Sequence, residues 1–248
     1  MAEWIAHRYK KQGLIGSGGM GRIYRAYDRL TGNTVALKEV HLKMQDALDV
    51  PHQQQALVTL AQEFRIAATL RHPYIVSVLD YGVHAGSPFY TMTYLDQPSS
   101  LIDASQDADF TTRVRYLSEL LQALIYLHQN DILHRDIKPE NILIADDTVQ
   151  VVDFGLSMSV QDAKSRAGTL AYMAPEILMT GQAVKESDLY AVGVLAYQIF
   201  VGQHPFISDD ITSILNDDPD MTLLDNNSLQ AVIACLLHST LSISSSIT

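Results

Sequence analysis

The chain has 248 residues, 47% hydrophobic and 18% charged, which is ample apolar surface for a large core and too much for a disordered chain. Its formal net charge of −11 argues against nucleic-acid binding, which needs a basic face. The single cysteine, Cys235, excludes an intrachain disulfide. Residues 1–11 lack the apolar core of a secretory signal, and the longest apolar runs, 189–201 and 229–237, are too short to span a membrane.

Residues 9–14, 22–27 and 34–40 read as strands, with Thr31-Gly32-Asn33 as turn chemistry between the second and third. Between the first two lies Gly16-Ser17-Gly18-Gly19-Met20-Gly21, a G-x-G-x-x-G match. Alone the match is weak, because glycine tracts also make simple turns. A dinucleotide-binding loop runs straight into a helix. Here strand-like residues follow, which disfavours a Rossmann oxidoreductase and predicts a hairpin whose backbone N–H groups cover phosphates. Val35-Ala36-Leu37-Lys38 lies on the next strand. Taken alone, Lys38 is an ordinary strand lysine. Under a phosphate lid it supplies a fixed cation and needs an acidic partner. Glu63 is the candidate, on a helix predicted over 53–70 from Ala56, Leu57, Leu60, Phe64, Ala67 and Ala68 at helical spacing.

Pro73 closes that helix, and residues 75–81 and 89–94 read as two further strands. From about Asp96 the chain turns helical. Val114, Leu117, Leu121, Leu124 and Leu127 form one apolar stripe, with Thr111 or Thr112 as the expected cap. Residues 141–144 and 149–152 flank an Asp146-Asp147 turn. Residues 188–201 are apolar nearly all round, which predicts a buried helix stopped by Gly202. A strand-rich first third thus precedes a helix-rich remainder, with a hinge expected near 93–97.

The glycine loop, Val-Ala-Leu-Lys and a helix glutamate nine residues before His72-Pro73 resemble the protein-kinase signature set. The strongest signal is His134-Arg135-Asp136-Ile137-Lys138-Pro139-Glu140-Asn141, followed twelve residues after Asn141 by Asp153-Phe154-Gly155. Gly168-Thr169-Leu170-Ala171-Tyr172-Met173-Ala174-Pro175-Glu176 resembles the family's G-T-x-x-Y-x-x-P-E block. Over about residues 9–235 the chain therefore resembles the catalytic domain of eukaryotic-like Ser/Thr protein kinases. The resemblance implies an α+β, bilobal protein-kinase-like fold. Residues 1–95 would form a small antiparallel-sheet N-lobe with one main helix, and 96–248 a larger helical C-lobe.

It also implies γ-phosphate transfer from ATP, with Mg²⁺, to Ser/Thr hydroxyls of protein substrates in signalling. Phosphoryl transfer needs alignment and charge neutralisation more than covalent chemistry. Asp136 would accept the proton of the attacking hydroxyl, and Lys138 would stabilise charge on the transferring group. Asn141 and Asp153 would ligate Mg²⁺ through oxygen. Lys38 would grip the phosphates, held by Glu63, beneath Gly16, Ser17, Gly18 and Gly21. Ile23, Ala36 and Leu143 would sandwich adenine, Met92 would be the gatekeeper, and the Thr93, Tyr94 and Leu95 backbone would bond its edge. Lys138 and Thr169 are the pattern of Ser/Thr-specific members. Ser165 is the expected activation-loop phosphosite, meeting Arg135. Asp188 would hold the catalytic-loop backbone, and Phe154, His134, Ala67 and Val78 would stack as a spine. The resemblance leaves room for self-association in autophosphorylation, and the expected compartment is the cytoplasm, or the cytoplasmic part of a longer protein.

Other readings are a pseudokinase scaffold, which would lack at least one of Lys38, Glu63, Asp136, Asn141 and Asp153, and a small-molecule kinase, which would lack the 169–176 block. Two departures from the family pattern stand out. Glu176 pairs in the family with an arginine near the domain's end, yet no arginine follows Arg166, and the tail 236–248 is short for the last helices. The stretch 43–55 is longer than expected.

Overall fold

The computed structural model describes residues 3–18, 21–40, 58, 61–62, 64–154, 170–206, 214–215 and 217–238. The chain divides into two compact units, Met1–Gln97 and Pro98–Thr248.

The first unit is built on a six-stranded antiparallel sheet. Its strands are β1 (Trp4–Ile5), β2 (Tyr9–Gly18), β3 (Gly21–Asp28), β4 (Thr34–Val40), β5 (Val78–His84) and β6 (Ser87–Thr93), in the order β1-β2-β3-β4-β6-β5. Alternation sorts the side chains. Ile5, Tyr9, Ala26, Val35, Leu37 and Phe89 pack together on one face. Ile23 stands opposite Lys38, Lys38 opposite Tyr90, and Ala36 opposite Met92, which puts these residues on the other face. Residues 64–67 are helical, as the apolar spacing predicts, and the Phe64 ring lies 4.8 Å from that of Tyr90.

The sheet departs from expectation at one strand. Residues 75–81 read as extended, but β5 begins at Val78 and runs on to His84, while Ile75 makes only an isolated bridge with His72. The strand expected to end at Tyr81 continues through Gly82. In the fold Gly82 pairs with Phe89, and the reversal comes later, at Ala85 (φ 49°) and Gly86 (φ 81°). Two left-handed residues in succession make the turn that matches strand twist.

The second unit is helical around a small three-stranded sheet: β7 (Ser99–Ser100), β8 (Ile142–Ala145) and β9 (Thr148–Val151). Its helices are α1 (Leu101–Gln106), α2 (Phe110–Gln129), α3 (Pro175–Thr180), α4 (Lys185–Val201) and α5 (Asn227–Leu237). The cap of α2 is neither threonine: Asp109, just ahead, accepts from the Thr112 N–H. A carboxylate there also faces the positive end of the helix dipole. Helix α4 buries residues on every side, including Tyr190, Val192, Val194, Leu195 and Tyr197, and ends at Gly202 in the left-handed region, φ 83°. Met173, Ala174, Ile177, Leu178, Tyr190, Val194 and Phe206 form one core cluster with it. Among the described residues no helix is long and apolar enough to cross a membrane.

Candidate active site

In the first unit the glycine loop spans the end of β2 and the start of β3, with Gly16 opposite Ile23, Ser17 opposite Arg22 and Gly18 opposite Gly21. The loop is a hairpin, not a strand-to-helix turn. Gly21 has φ 145°, and a Cβ there would run into the Glu39 backbone carbonyl on β4. Gly18 has open space around its missing Cβ. Lys38 is 4% exposed, unusual for a lysine, with its Nζ 5.9 Å from the centre of the Tyr90 ring. Ile23 is half-buried, while Ala36 and Met92 are buried on the same sheet face as Lys38. The Thr93 N–H is taken by the Ser77 carbonyl at 3.1 Å, which removes it from the groups available to an adenine edge. Tyr94 and Leu95 are half-buried. Glu63, Thr169, Ser165 and Gly155 lie outside the described residues.

In the second unit the loop between α2 and β8 gathers the expected acid, lysine and amide. Asp136 is 7% exposed. Its Oδ2 accepts from Lys138 Nζ at 2.9 Å and from Asn141 Nδ2 at 2.8 Å. The same nitrogen also donates to the Asp136 backbone carbonyl at 2.7 Å. The other carboxylate oxygen, Oδ1, is buried without a hydrogen-bond partner. Buried acceptors are ordinarily satisfied, so a bare one beside a charged lysine is poised for an incoming donor.

The backbone below is held from the core. Asp188, near the start of α4, accepts the His134 N–H on Oδ2 and the Arg135 N–H on Oδ1, both at 2.9 Å. Arg135 has φ 66°, a conformation that costs an ordinary residue about 1–3 kcal/mol and persists only when its surroundings hold it. His134 is 1% exposed, and its Nδ1 accepts from the Asp136 N–H at 3.3 Å. Burial pushes the His134 imidazole below its ordinary value, against the nearby acids. It is therefore neutral and a core residue rather than a base.

The β8–β9 hairpin joins Asn141 to Asp153. The Val152 N–H donates to the Asn141 carbonyl at 3.0 Å, and Asp153 follows in the left-handed region, φ 59°. Asp146 and Asp147, at φ 49° and 57°, make the turn. Helix α2 braces it: Tyr116 Oη donates to Asp147 Oδ1 at 2.7 Å, Arg115 Nη2 pairs with Asp147 Oδ2 at 2.8 Å, and Glu119 Oε2 accepts the Val149 N–H at 3.0 Å. The sequence alone does not single out these braces. The Arg115–Glu119 pair at helical spacing is its one signal, and it reads as a solvated surface pair. Leu143, the expected adenine contact of this unit, is half-buried on β8.

A family model described as "Protein kinase domain" matches residues 9–241, nearly the whole chain. The chain belongs to the protein kinase domain family. Among its relatives are the "Probable serine/threonine-protein kinase pknA2" of Bifidobacterium longum, 34% identical over 96% of this chain and 33% of that protein. The "DNA damage-responsive serine/threonine-protein kinase RqkA" of Deinococcus radiodurans is 36% identical over 85% of this chain and 32% of its own. The "Serine/threonine-protein kinase PrkC" of Bacillus subtilis is 31% identical over 85% of this chain and 33% of its own. The kinase domain thus spans about a third of the length of these curated relatives.

In the kinase domain the residues suit a hard divalent cation. Asn141 spends its nitrogen on Asp136, so its amide oxygen, with the carboxylate of Asp153, would be the oxygen ligands for such a cation. Among the described residues no group of three or more His, Cys, Asp or Glu side chains could hold a metal ion. The pair would be a partial set of the kind Mg²⁺ takes, to be completed by phosphate and water oxygens. Among the described residues the side-chain partner of Glu176 is Ser187. Glu176 is buried, its Oε1 accepts from Ser187 Oγ at 2.7 Å, and its Oε2 has no partner. The Tyr190 hydroxyl nearby is likewise unpartnered, and burial raises its pKa, with Glu176 adding to the shift.

Proposed function

We propose that this kinase domain transfers the γ-phosphoryl group of ATP to serine or threonine hydroxyls of protein substrates, its own chain included. The observation that carries the reading is the asymmetric carboxylate of Asp136, one oxygen fixed by Lys138 and Asn141 and the other buried and bare. A substrate hydroxyl donating to Oδ1 would be oriented for attack and would lose its proton there. General-base assistance of this kind is worth roughly 10²–10⁴-fold. Lys138, 2.9 Å from Oδ2, offsets the charge of Asp136 and stands ready to stabilise the transferring group. Bound Mg²⁺ would neutralise the phosphate oxygens, held by Asn141 and Asp153.

The remaining roles go with this reading. Lys38, buried on its sheet face, would pair with the phosphates, with Glu63 as its proposed acidic partner, under a lid formed by Gly16, Ser17, Gly18 and Gly21. Ile23, Ala36, Met92 and Leu143 would contact adenine, with the Thr93 carbonyl and the backbone of Tyr94 and Leu95 at its edge. Thr169 supports the catalytic loop. The serine and threonine preference rests on Lys138, on Thr169 and on the names of the relatives. An ATP-dependent signalling role fits the cytoplasm, or the cytoplasmic part of a longer protein, and autophosphorylation would bring two copies together.

The test is incubation with Mg²⁺ and labelled ATP beside the Asp136→Asn variant, with phosphosites mapped by mass spectrometry and folding checked by thermal melting. Label on serine or threonine that disappears in a folded Asp136→Asn variant is the expected result. A folded wild type that transfers nothing to itself or to generic protein substrates defeats the reading in favour of a binding module.

A further inference from the structure

The β8–β9 hairpin carries the two proposed metal ligands at its feet. Asn141 immediately precedes β8, and Asp153 lies two residues beyond the end of β9. The two strands are not held alike. In the sheet order β7-β8-β9, β8 has a strand on either side, and its foot is bonded to Asp136 through Asn141 Nδ2. The edge strand β9, which leads to Asp153, has a strand on one side only.

Helix α2 supplies the other side. An edge strand leaves outward N–H groups without strand partners. Val149 on β9 is fully buried, and its N–H goes to Glu119 Oε2 at 3.0 Å. The second oxygen of Glu119, Oε1, accepts from Arg115 Nη1 at 2.9 Å. Arg115 reaches on to the turn, where Nη1 donates to the Asp147 carbonyl at 2.7 Å and Nη2 to its Oδ2 at 2.8 Å, while Tyr116 Oη takes Oδ1. All three oxygens of Asp147 therefore accept from α2. The Tyr116 and Arg115 bonds hold the Asp147 carboxyl below its ordinary value, so the grip is in its charged form at neutral pH. The Asp147 side chain is 72% exposed, and an ion pair so open to water adds little stability. What these bonds supply is direction: the turn and the outer edge of β9 are fixed to one helix. Glu119 is the part common to both, a carboxylate only 7% exposed that joins the arginine at the turn to the backbone of the strand.

We propose that Glu119 is a positioning residue for the Mg²⁺ site, acting with Arg115 and Tyr116 through β9 to hold Asp153 in place against Asn141. This rests on the functional reading given above. Both oxygens of Glu119 are spent on Arg115 and Val149, so it acts on the metal only through the strand. Residues that hold metal ligands from behind change metal affinity or activity by roughly 10–100-fold when lost. Glu119 stands one step further back, which places it at the low end.

The experiment compares wild type, Glu119→Leu, Glu119→Gln and Tyr116→Phe, with folding checked by thermal melting. Two quantities are read: the free Mg²⁺ that gives half-maximal peptide phosphorylation, and the affinity for Mn²⁺ of the complex with a non-hydrolysable ATP analogue, by electron paramagnetic resonance. In Glu119→Leu both weaken about tenfold while the KM for peptide stays within about twofold. In Glu119→Gln, whose carbonyl can still accept the Val149 N–H, both return to within about threefold of wild type. Tyr116→Phe, which keeps the ring and removes one hydrogen bond, weakens both about threefold. If the leucine variant does not fold, Tyr116→Phe decides on the same two readings. A folded Glu119→Leu, or in its place Tyr116→Phe, that melts lower but binds Mn²⁺ like wild type overturns the proposal, because α2 then only stabilises the hairpin. A glutamine that fails to recover the affinity overturns it as well. The Mn²⁺ reading needs no turnover, so an inactive wild type defeats the functional reading while Mn²⁺ affinity still decides the role of Glu119. A wild type that holds no Mn²⁺ with nucleotide overturns both.

Discussion

Asn141 holds Asp136 through a single nitrogen, which lies 2.7 Å from the Asp136 carbonyl and 2.8 Å from its Oδ2. One side chain thus fixes both the backbone and the carboxylate of the residue five positions earlier. The proposed base and the proposed metal ligand are therefore a unit, and neither can shift alone. Hydrogen bonds to a charged group contribute about 1.5–3 kcal/mol.

That pairing makes Asn141→Asp a sharp test. The substitution keeps shape and a ligand oxygen but replaces the shared N–H donor by an acceptor facing a carboxylate. Turnover at saturating ATP should fall by about 10²-fold or more, as for other misaligned sites, although a metal-binding oxygen has been kept. Steady-state kinetics on the folded variant checks this. A kcat within tenfold of wild type would show that the nitrogen is not what holds Asp136.

The glycines of the loop should separate into two kinds. Gly21 sits at φ 145° with the Glu39 carbonyl where a Cβ would go, so Gly21→Ala should disrupt the β3–β4 pairing and lower the melting temperature. Gly18 has nothing within 4 Å of its missing Cβ. Gly18→Ala should melt like wild type, and a rise in the KM for ATP is expected because the added methyl stands where the lid would meet phosphate. Thermal melting and ATP titration, run on both variants, read the two effects apart.

Acid should weaken the first unit through Asp28. This buried carboxylate is gripped by Arg8, with Nε 2.7 Å from Oδ1 and Nη2 2.8 Å from Oδ2, and Arg8 Nη1 reaches Asp80 at 2.6 Å. The Arg8 bonds hold the Asp28 carboxyl well below its ordinary 3.8, at about 2. A pKa lower in the folded than in the unfolded chain stabilises the fold above about pH 4. That stabilisation fades as pH falls toward about 2, because the unfolded chain binds the proton first. The contribution is on the order of 2 kcal/mol. Urea unfolding of wild type and Asp28→Asn across that range should show a gap at neutral pH that narrows in acid. A gap independent of pH would remove the charge from the explanation.

Much of this molecule is legible in the sequence because its signals are local. The β8–β9 hairpin shows itself as two short alternating runs around Asp146-Asp147, and the buried helix α4 as an uninterrupted apolar run ahead of Gly202. The loop from His134 to Asn141 packs its donors and acceptors into eight residues. What is missed depends on distant partners or on a choice between neighbours. The strand read as ending at Tyr81 runs on through Gly82, because the pairing of Gly82 with Phe89 is decided by where the later turn falls. Thr111 and Thr112 hide Asp109, the better acceptor one step ahead. His128 lies 60 residues from Asp188, and only folding reveals that the last turn of one helix braces the first turn of another.

The Asp188 contacts also bear on when the molecule can breathe. His134 and Arg135 belong to an irregular segment, yet their amide hydrogens end on a carboxylate seated in the most buried helix. Solvent deuterium can replace them only when that helix end comes apart, so their exchange should be as slow as that of core amides. A loop by geometry is in this respect part of the last structure to melt. The aim of the Asp136 carboxylate is then as durable as the core itself.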